Sequence, residues 1–465
     1  MQTANPIPQT LSGALWRHAA ALRFEDLPPP VIEKVKELVL DTLGVALGSS
    51  SLDFGVATRA LVASWGCTGA SSVIGQQARV PPHAAALVNG VLAHGQDYDD
   101  THTESVTHPS ACIVPTALAM CEARGASGKD AILAMAVGFE SMIRIALPAR
   151  NQFHLHGFHT TSITGTFAAA LIAAFVDRLD DARAVHALGV AGSFTSGLLE
   201  CVPAGAGAKR LHGGWAAMGG ILATDFAQRG LTGPSTVLEG RLGLFNSFVR
   251  GESIDLDEIL AGFRQDWLLL DTRPKLFPCC HYLQAFIDCA LRLRNERGVR
   301  AEAVTEVHCR VAAGAVNMIC APWSAKQAPR DPYEAKFSLP FAVAIALVDG
   351  RAGTAEFTLE NAQRPLVADL MSRMTFDVAP EYSVKDMPGD VQITLADGRR
   401  ESSRQPRVRG DRAAPIAREE LLNKFYDNLR DTPYRQRADA IAGAVLGLDR
   451  LADLEPLASL LRMER

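Results

Sequence analysis

Seventeen residues between His94 and Ser110, HGQDYDDTHTESVTHPS, hold His94, Asp97, Asp99, Asp100, His102, Glu104 and His108. Apolar, helix-type sequence flanks them, PPHAAALVNGVLA before and ACIVPTALAMCEA after. Carboxylates and imidazoles are costly to bury unless they are paired or used, so this placement points to a functional site. Three more stretches bring ionisable groups to the ends of helix-type runs. GFHTTS at 157–162 sets His159 directly before an apolar helix. AGAGAKRLHGG at 204–214 carries Lys209, Arg210 and His212 in a Gly-rich turn. KLFPCCH at 275–281 supplies Lys275, Cys280 and His281. Together they suit proton transfer at a carbon next to a carboxylate. Such a carbon acid is weak, so a base must be positioned and the developing charge neutralised. A histidine held by a carboxylate can be that base. A lysine near helix N-termini can hold the substrate carboxylate.

Each piece has a bland reading. His159 alone is an ordinary capping or core histidine, and Lys209 alone a surface lysine. Cys279 and Cys280 can be two buried thiols. AGAGAKR lacks the GxxxxGK[ST] spacing of a phosphate loop, and no clear strand precedes it. The Asp97–Glu104 run could bind magnesium, as in an all-helical terpene cyclase. Such pockets need aromatic walls, and aromatics are only 6% of this chain.

The elements that must position these groups are mostly helical. The 465 residues are 48% hydrophobic and 21% charged, enough for a large core without a disorder signature. The 46 basic and 51 acidic residues are mixed along the chain, which argues against nucleic acid and acidic membrane surfaces as partners. Nine irregularly spaced cysteines without CxxC fit reduced thiols in a cytoplasmic protein. The N-terminus lacks a basic start and apolar core, so no secretory signal is expected. The apolar run 160–176 is short for a membrane span and reads as a buried helix.

Apolar periodicity predicts helices over 30–47, 81–95, 109–124, 128–148, 159–176, 183–199 and 213–229. The small residues of the last would let backbones approach closely. The texture changes near Asp271. A helix follows at 282–297, then alternating strands at 304–311 and 390–395, with helices at 336–349 and 365–373 between them. Residues 270–405 therefore read as an α+β unit. GRRESSRQPRVRGDR reads as a solvated connection, and the tail from Ile416 as helical again.

In order and over nearly the whole chain, five stretches resemble the MmgE/PrpD family: HGQDYDDTHTESVTHPS, GFHTTSITG, AKRLHGG, KLFPCCH and EAKFSLPFAVAIALVDG at 334–350. The family includes 2-methylcitrate dehydratases, cis-aconitate decarboxylases and an iminodisuccinate epimerase. The resemblance implies a mainly α fold. A large helical domain would come from both chain ends, 1–269 and 406–465, and a smaller α+β lid from 270–405. It also implies a homodimer, and an active site in the cleft between helical domain and lid. It places Asp97, Thr101, His108, His159 and Lys209 at catalytic positions. His108 and His159 would exchange protons, Asp97 would orient one of them, and Thr101 and Lys209 would bind carboxylates. His212, Lys275, Cys280 and His281 would bind substrate. No metal or other cofactor is implied. Two departures stand out. The spacer HTESVT between Thr101 and His108 is one residue longer than in decarboxylase-like members. Cys280 stands where those members have a histidine, with His281 one step later, and Gln284 stands where many have another. The expected function is a metal-independent lyase on a small di- or tricarboxylic acid. A 2-methylcitrate dehydratase type comes first, with decarboxylase and epimerase as alternatives. A magnesium-dependent helical cyclase and a catalytically dead dimerisation protein are the readings from other classes.

Overall fold

The computed structural model describes residues 9–463, apart from 203, 205, 250, 252 and 253. The first eight residues of the N-terminal stretch and Gly205 of the Gly-rich turn lie outside them. The protein is mainly α-helical and forms two compact units, Met1–Pro274 with Leu421–Arg465, and Lys275–Glu420.

The first unit opens with α1 (Leu11–Ala20), α2 (Pro29–Gly48), α3 (Asp53–Ser64) and α4 (Pro82–His94). The two-residue strand β1 (Thr101–His102) lies in the loop before α5 (Ser110–Arg124). Next come α6 (Gly128–Ala146), α7 (Gln152–Leu155), α8 (Thr160–Val176), α9 (Asp181–Phe194), α10 (His212–Gln228) and α11 (Leu244–Phe248). Strand β2 (Thr272–Arg273) then pairs antiparallel with β1. Local chemistry sets many of the ends. Pro29 and Pro30 occupy the first turn of α2, where no N–H is needed. Ser127 and Asp130 form a capping box on α6. Gly125 ends α5 in the left-handed conformation that its missing Cβ allows. Helix α9 stops at Phe194, short of the expected 199. Thr195 turns extended there, and its hydroxyl donates to the Ile163 carbonyl instead.

Helix α8 is buried on all sides over its first fifteen residues, and α5, α6, α9 and α10 pack around it. Helices α4 and α10 cross with almost no side chain between them. A Cβ on Gly214 would lie 2.2 Å from the Leu87 carbonyl oxygen, and one on Gly90 2.6 Å from the Gly214 Cα. Only glycine fits that crossing, and it draws the C-terminus of α4 towards the N-terminus of α10. Among the described residues one helical stretch, Gly128–Ala149, is long and apolar enough to cross a membrane, and its most apolar window is 94% buried inside the protein. It carries the buried Arg144, which pairs with Glu140 and donates to the carbonyls of Ala261, Gly262 and Asp266.

The second unit holds α12 (Gln284–Asn295), strand β3 (Val304–Ala312), three single-turn helices α13 (Val316–Ile319), α14 (Trp323–Lys326) and α15 (Pro332–Ala335), then α16 (Leu339–Asp349), α17 (Leu359–Ala362) and α18 (Pro365–Ser372). Strands β4 (Met374–Ala379), β5 (Gly389–Leu395) and β6 (Arg400–Gln405) complete a sheet of order β4-β3-β5-β6. Strands β3 and β4 are parallel; the other pairs are antiparallel. Helix α12 packs on β5 and β6, and α16 packs on α12. Two strands and the single-turn helices α13, α14, α15 and α17 differ from the sequence expectation. The stretch 398–412 is not simply a connection, because 400–405 pairs residue by residue with β5 as an edge strand. Met374–Ala379 is a strand that the expectation lacked. The unit also starts at Lys275 rather than 270, since strand β2 pairs with β1 of the first unit, and runs past 405, to Glu420. Arg409 accounts for this, with bonds to Asp288 of α12 and to Glu420. The chain returns through α19 (Arg418–Leu429), α20 (Ala438–Leu446) and α21 (Glu455–Leu461).

Candidate active site

Four helix ends of the first unit carry histidines into one cluster. His94 is the last residue of α4, His108 lies two residues before α5, His159 is the residue before α8, and His212 begins α10. His154 joins them from α7. Ring centroids lie 5.4 Å apart for His94 and His159, 5.5 Å for His94 and His108, and 6.0 Å for His108 and His159. His159 is also 5.0 Å from His212 and 5.7 Å from His154.

The loop between α4 and α5 divides its ionisable groups among different tasks. His94 Nδ1 lies 2.6 Å from Asp99 Oδ2, both side chains 1% exposed. The carboxylate accepts from Nδ1–H, which leaves the lone pair of a neutral His94 on Nε2. That Nε2 is buried without a hydrogen bond among the described residues. Asp97 has φ +58, a left-handed conformation strained for a non-glycine residue, and Lys209 Nζ donates to its Oδ1 at 2.8 Å. Asp97 therefore holds the lysine, and the carboxylate that orients an imidazole is Asp99. Asp100 accepts from the Ser110 amide and hydroxyl at the start of α5. Burial pushes its carboxyl up to about 7. His102 Nδ1 contacts the Ser105 hydroxyl at 2.9 Å, and its backbone bridges to Thr107. It staples a small hairpin, while Glu104 is exposed. The spacer HTESVT closes on itself in this hairpin, with Val106 at φ +53. Thr101 Oγ1 consequently stays 3.2 Å from His108 Nδ1. His108 Nδ1–H donates to the Asp100 carbonyl at 2.7 Å, so the lone pair of a neutral His108 is on Nε2. The His108 amide donates to Thr161 Oγ1 and ties the loop to α8.

His159 and His212 meet Nδ1 to Nδ1 at 2.9 Å. Burial lowers the pKa of His159 well below the ordinary value, with His94, Lys209, His154 and His108 adding repulsion. Burial, then His94 and Lys209, lower His212 to about 4. Burial, then Lys209, lower His154 to about 4. These rings are neutral at neutral pH, the state in which one ring nitrogen accepts a proton and the other donates one. A depressed folded-state pKa means that the unfolded chain binds more protons between about 4 and 6.5, so folding stability falls as pH drops through that window. His154→Asn is expected to remove its share, on the order of 2–3 kcal/mol at pH 4 and none above pH 7. Urea unfolding of both proteins across that range checks it; parallel curves would place His154 in water.

Both halves of the chain match known family models, residues 13–257 the MmgE/PrpD N-terminal domain and residues 277–449 the MmgE/PrpD C-terminal domain. The chain belongs to the MmgE/PrpD family. Among its curated relatives are cis-aconitate decarboxylases. That of Aspergillus terreus is 28% identical over 464 residues, covering 95% of this chain and 94% of the relative. That of Homo sapiens is 29% identical over 453 residues, covering 95% and 92%. That of Mus musculus is 28% identical over 458 residues, covering 95% and 91%.

Five residues expected from the MmgE/PrpD resemblance, Asp97, Thr101, His108, His159 and Lys209, gather in the first unit, with His212. Lys275, Cys280 and His281 belong to the second unit. There the Cys280 amide donates to the Lys336 carbonyl, and His281 opens the turn before α12. Gln284 brackets the same loop. Its Oε1 accepts from the amides of Leu276 and Phe277, and its Nε2 donates to the Phe277 carbonyl. Sequence reasoning missed His154 altogether, and left His94 and Asp99 without a role. The one available signal for His154 was HLHGFH, three histidines in six residues. His94 and Asp99 stood in the open as one imidazole and one carboxylate among several.

Proposed function

We propose that this MmgE/PrpD member is a lyase acting on a small di- or tricarboxylic acid by proton transfer at a carbon next to a carboxylate. The observation that carries the reading is the cluster of five imidazoles beside the Lys209–Asp97 pair. His159 and His108 exchange protons with the substrate. Lys209 binds a substrate carboxylate, with Asp97 holding the ammonium in place, and Thr101 steadies His108. Lys275, Cys280 and His281 are carried as substrate-binding residues on the family resemblance alone. The Asp-rich loop suits magnesium poorly, because Asp97, Asp99 and Asp100 turn to Lys209, His94 and Ser110 respectively.

Loss of carbon dioxide from a cis-aconitate-like acid is the first reading, since the named relatives are cis-aconitate decarboxylases. Loss of water from a 2-methylcitrate-like acid is the second. Cys280 favours it, standing where decarboxylase-like members place a histidine. The deciding experiment incubates the protein with cis-aconitate, 2-methylcitrate and iminodisuccinate in heavy water and follows products by NMR. Carbon dioxide from the first acid supports decarboxylation, water loss from the second supports dehydration, and deuterium uptake without net product identifies an epimerase. No product and no exchange with any of them would overturn the proposal. Turnover is also expected to persist after dialysis against EDTA. Loss of rate restored by magnesium would return the cyclase-type reading.

A further inference from the structure

The contact between His159 and His212 differs from the other ring contacts of the cluster, because both partners present the same kind of atom. With the two Nδ1 atoms 2.9 Å apart, one carries the proton and the other the lone pair. A neutral imidazole has one N–H and one bare nitrogen. The tautomer of His212 therefore dictates that of His159. When His159 donates across the contact, its Nε2 is a bare base. When His212 donates, the same Nε2 carries a proton and is an acid. His159 Nε2 is buried with no hydrogen bond among the described residues, while His212 keeps 8% exposure against 1% for His159.

We infer that His212 is a positioning residue that relays a proton between His159 and water, and so switches His159 between base and acid. The relay rests on the proposed function only for the identity of the proton donor. In the forward step His159 Nε2 takes a proton from the substrate carbon, whose bonding pair stays with the substrate. The His159 Nδ1 proton crosses to His212 Nδ1, and His212 releases its Nε2 proton to water. One proton enters the pair and one leaves it, so both rings remain neutral. The reverse sequence returns a proton to carbon. This fits the environment of the pair. Among the described residues, His94 with Asp99 on α4 and the loop, His108, His154 on α7, and Lys209 with Asp97 act on it. Lys209 and the neighbouring rings oppose an imidazolium there, which favours a proton passed on over a proton held.

The test compares wild type with His212→Gln and His212→Ala. Both are expected to keep the helical circular-dichroism spectrum. His212→Gln is expected to lower kcat about a hundredfold with KM within about threefold, since it can hydrogen-bond His159 but cannot pass a proton through. Added imidazole is expected to return at least a tenfold part of the rate lost in His212→Ala. Histidine-selective nitrogen-15 NMR of the ligand-free protein adds a readout that needs no turnover. Wild-type His159 and His212 should show linked tautomers, with His159 Nε2 bare where His212 Nε2 is protonated, and removal of the ring in the Ala variant should change the His159 tautomer ratio. A rise in KM at unchanged kcat would make His212 a plain binding residue and overturn the relay. So would failure of imidazole rescue, or an identical His159 tautomer in wild type and variant. If wild type turns over none of the acids above, the proposed function fails while the NMR comparison still decides the relay.

Discussion

His159→Ala is expected to fold and to turn over at least a hundredfold more slowly. The histidine precedes α8, yet its side chain does not cap that helix; the local fold uses its backbone amide, which donates to the Gly197 carbonyl at 2.9 Å. Alanine keeps that bond. What disappears is the ring at the centre of the cluster, within 6.0 Å of His94, His108, His154 and His212. His212 Nδ1 also loses its partner, at a cost of about 1–3 kcal/mol if water does not replace it. The measurement is kcat and KM on the acid that the NMR screen identifies, alongside thermal unfolding. Turnover close to wild type in a folded variant would remove His159 from the mechanism.

Lys424→Met is expected to destabilise the protein by about 3–5 kcal/mol near pH 8, because it breaks a buried ion pair from one side. Lys424 Nζ lies 2.5 Å from Asp41 Oδ1, with the two side chains 2% and 1% exposed. The same ammonium donates to the Tyr98 carbonyl at 3.0 Å and sits 3.9 Å from the Tyr98 ring centroid. Tyr98 lies between Asp97, which holds Lys209, and Asp99, which orients His94. A residue of the returning chain thus steadies the loop that builds the site, so turnover should fall as well. Burial pushes the Asp41 carboxyl up and Lys424 pulls it down. Without the lysine it rises further, and an acid with a raised folded-state pKa costs more stability as pH rises. The deficit should therefore be smaller at pH 5 than at pH 8. Urea unfolding at both pH values measures it. Adding Asp41→Asn should recover part of the loss, because no buried charge is then left alone. A single-variant deficit below about 1 kcal/mol would mean that water reaches the pair.

Much of the helical body was legible in the residues themselves. Period and caps located α2, α4, α5, α6 and α8 to within a few residues, since those signals act within one or two turns. The alternating apolar residues of β3 and β5 marked them in the same way. Strand β6 was hidden because RESSRQ lies at the sheet edge with no fully buried residue, so it has no apolar alternation to read. The close α4–α10 crossing was foreshadowed by the small residues of α10, but not the glycine it would meet.

The candidate site divides along the same line. Which stretches carry ionisable groups at helix ends is a property of the sequence. Which carboxylate serves which imidazole is not. Asp97, Asp99 and Asp100 stand within four residues of one another, and nothing local separates the lysine's partner from the histidine's. The turn at Asp97, with φ +58, sends them to different neighbours. His154 and His212 become part of the cluster only because α7 and α10 pack where they do. Hydrogen bonding depends on distances of a few tenths of an ångström between groups far apart in sequence, and only the packed helices set those distances.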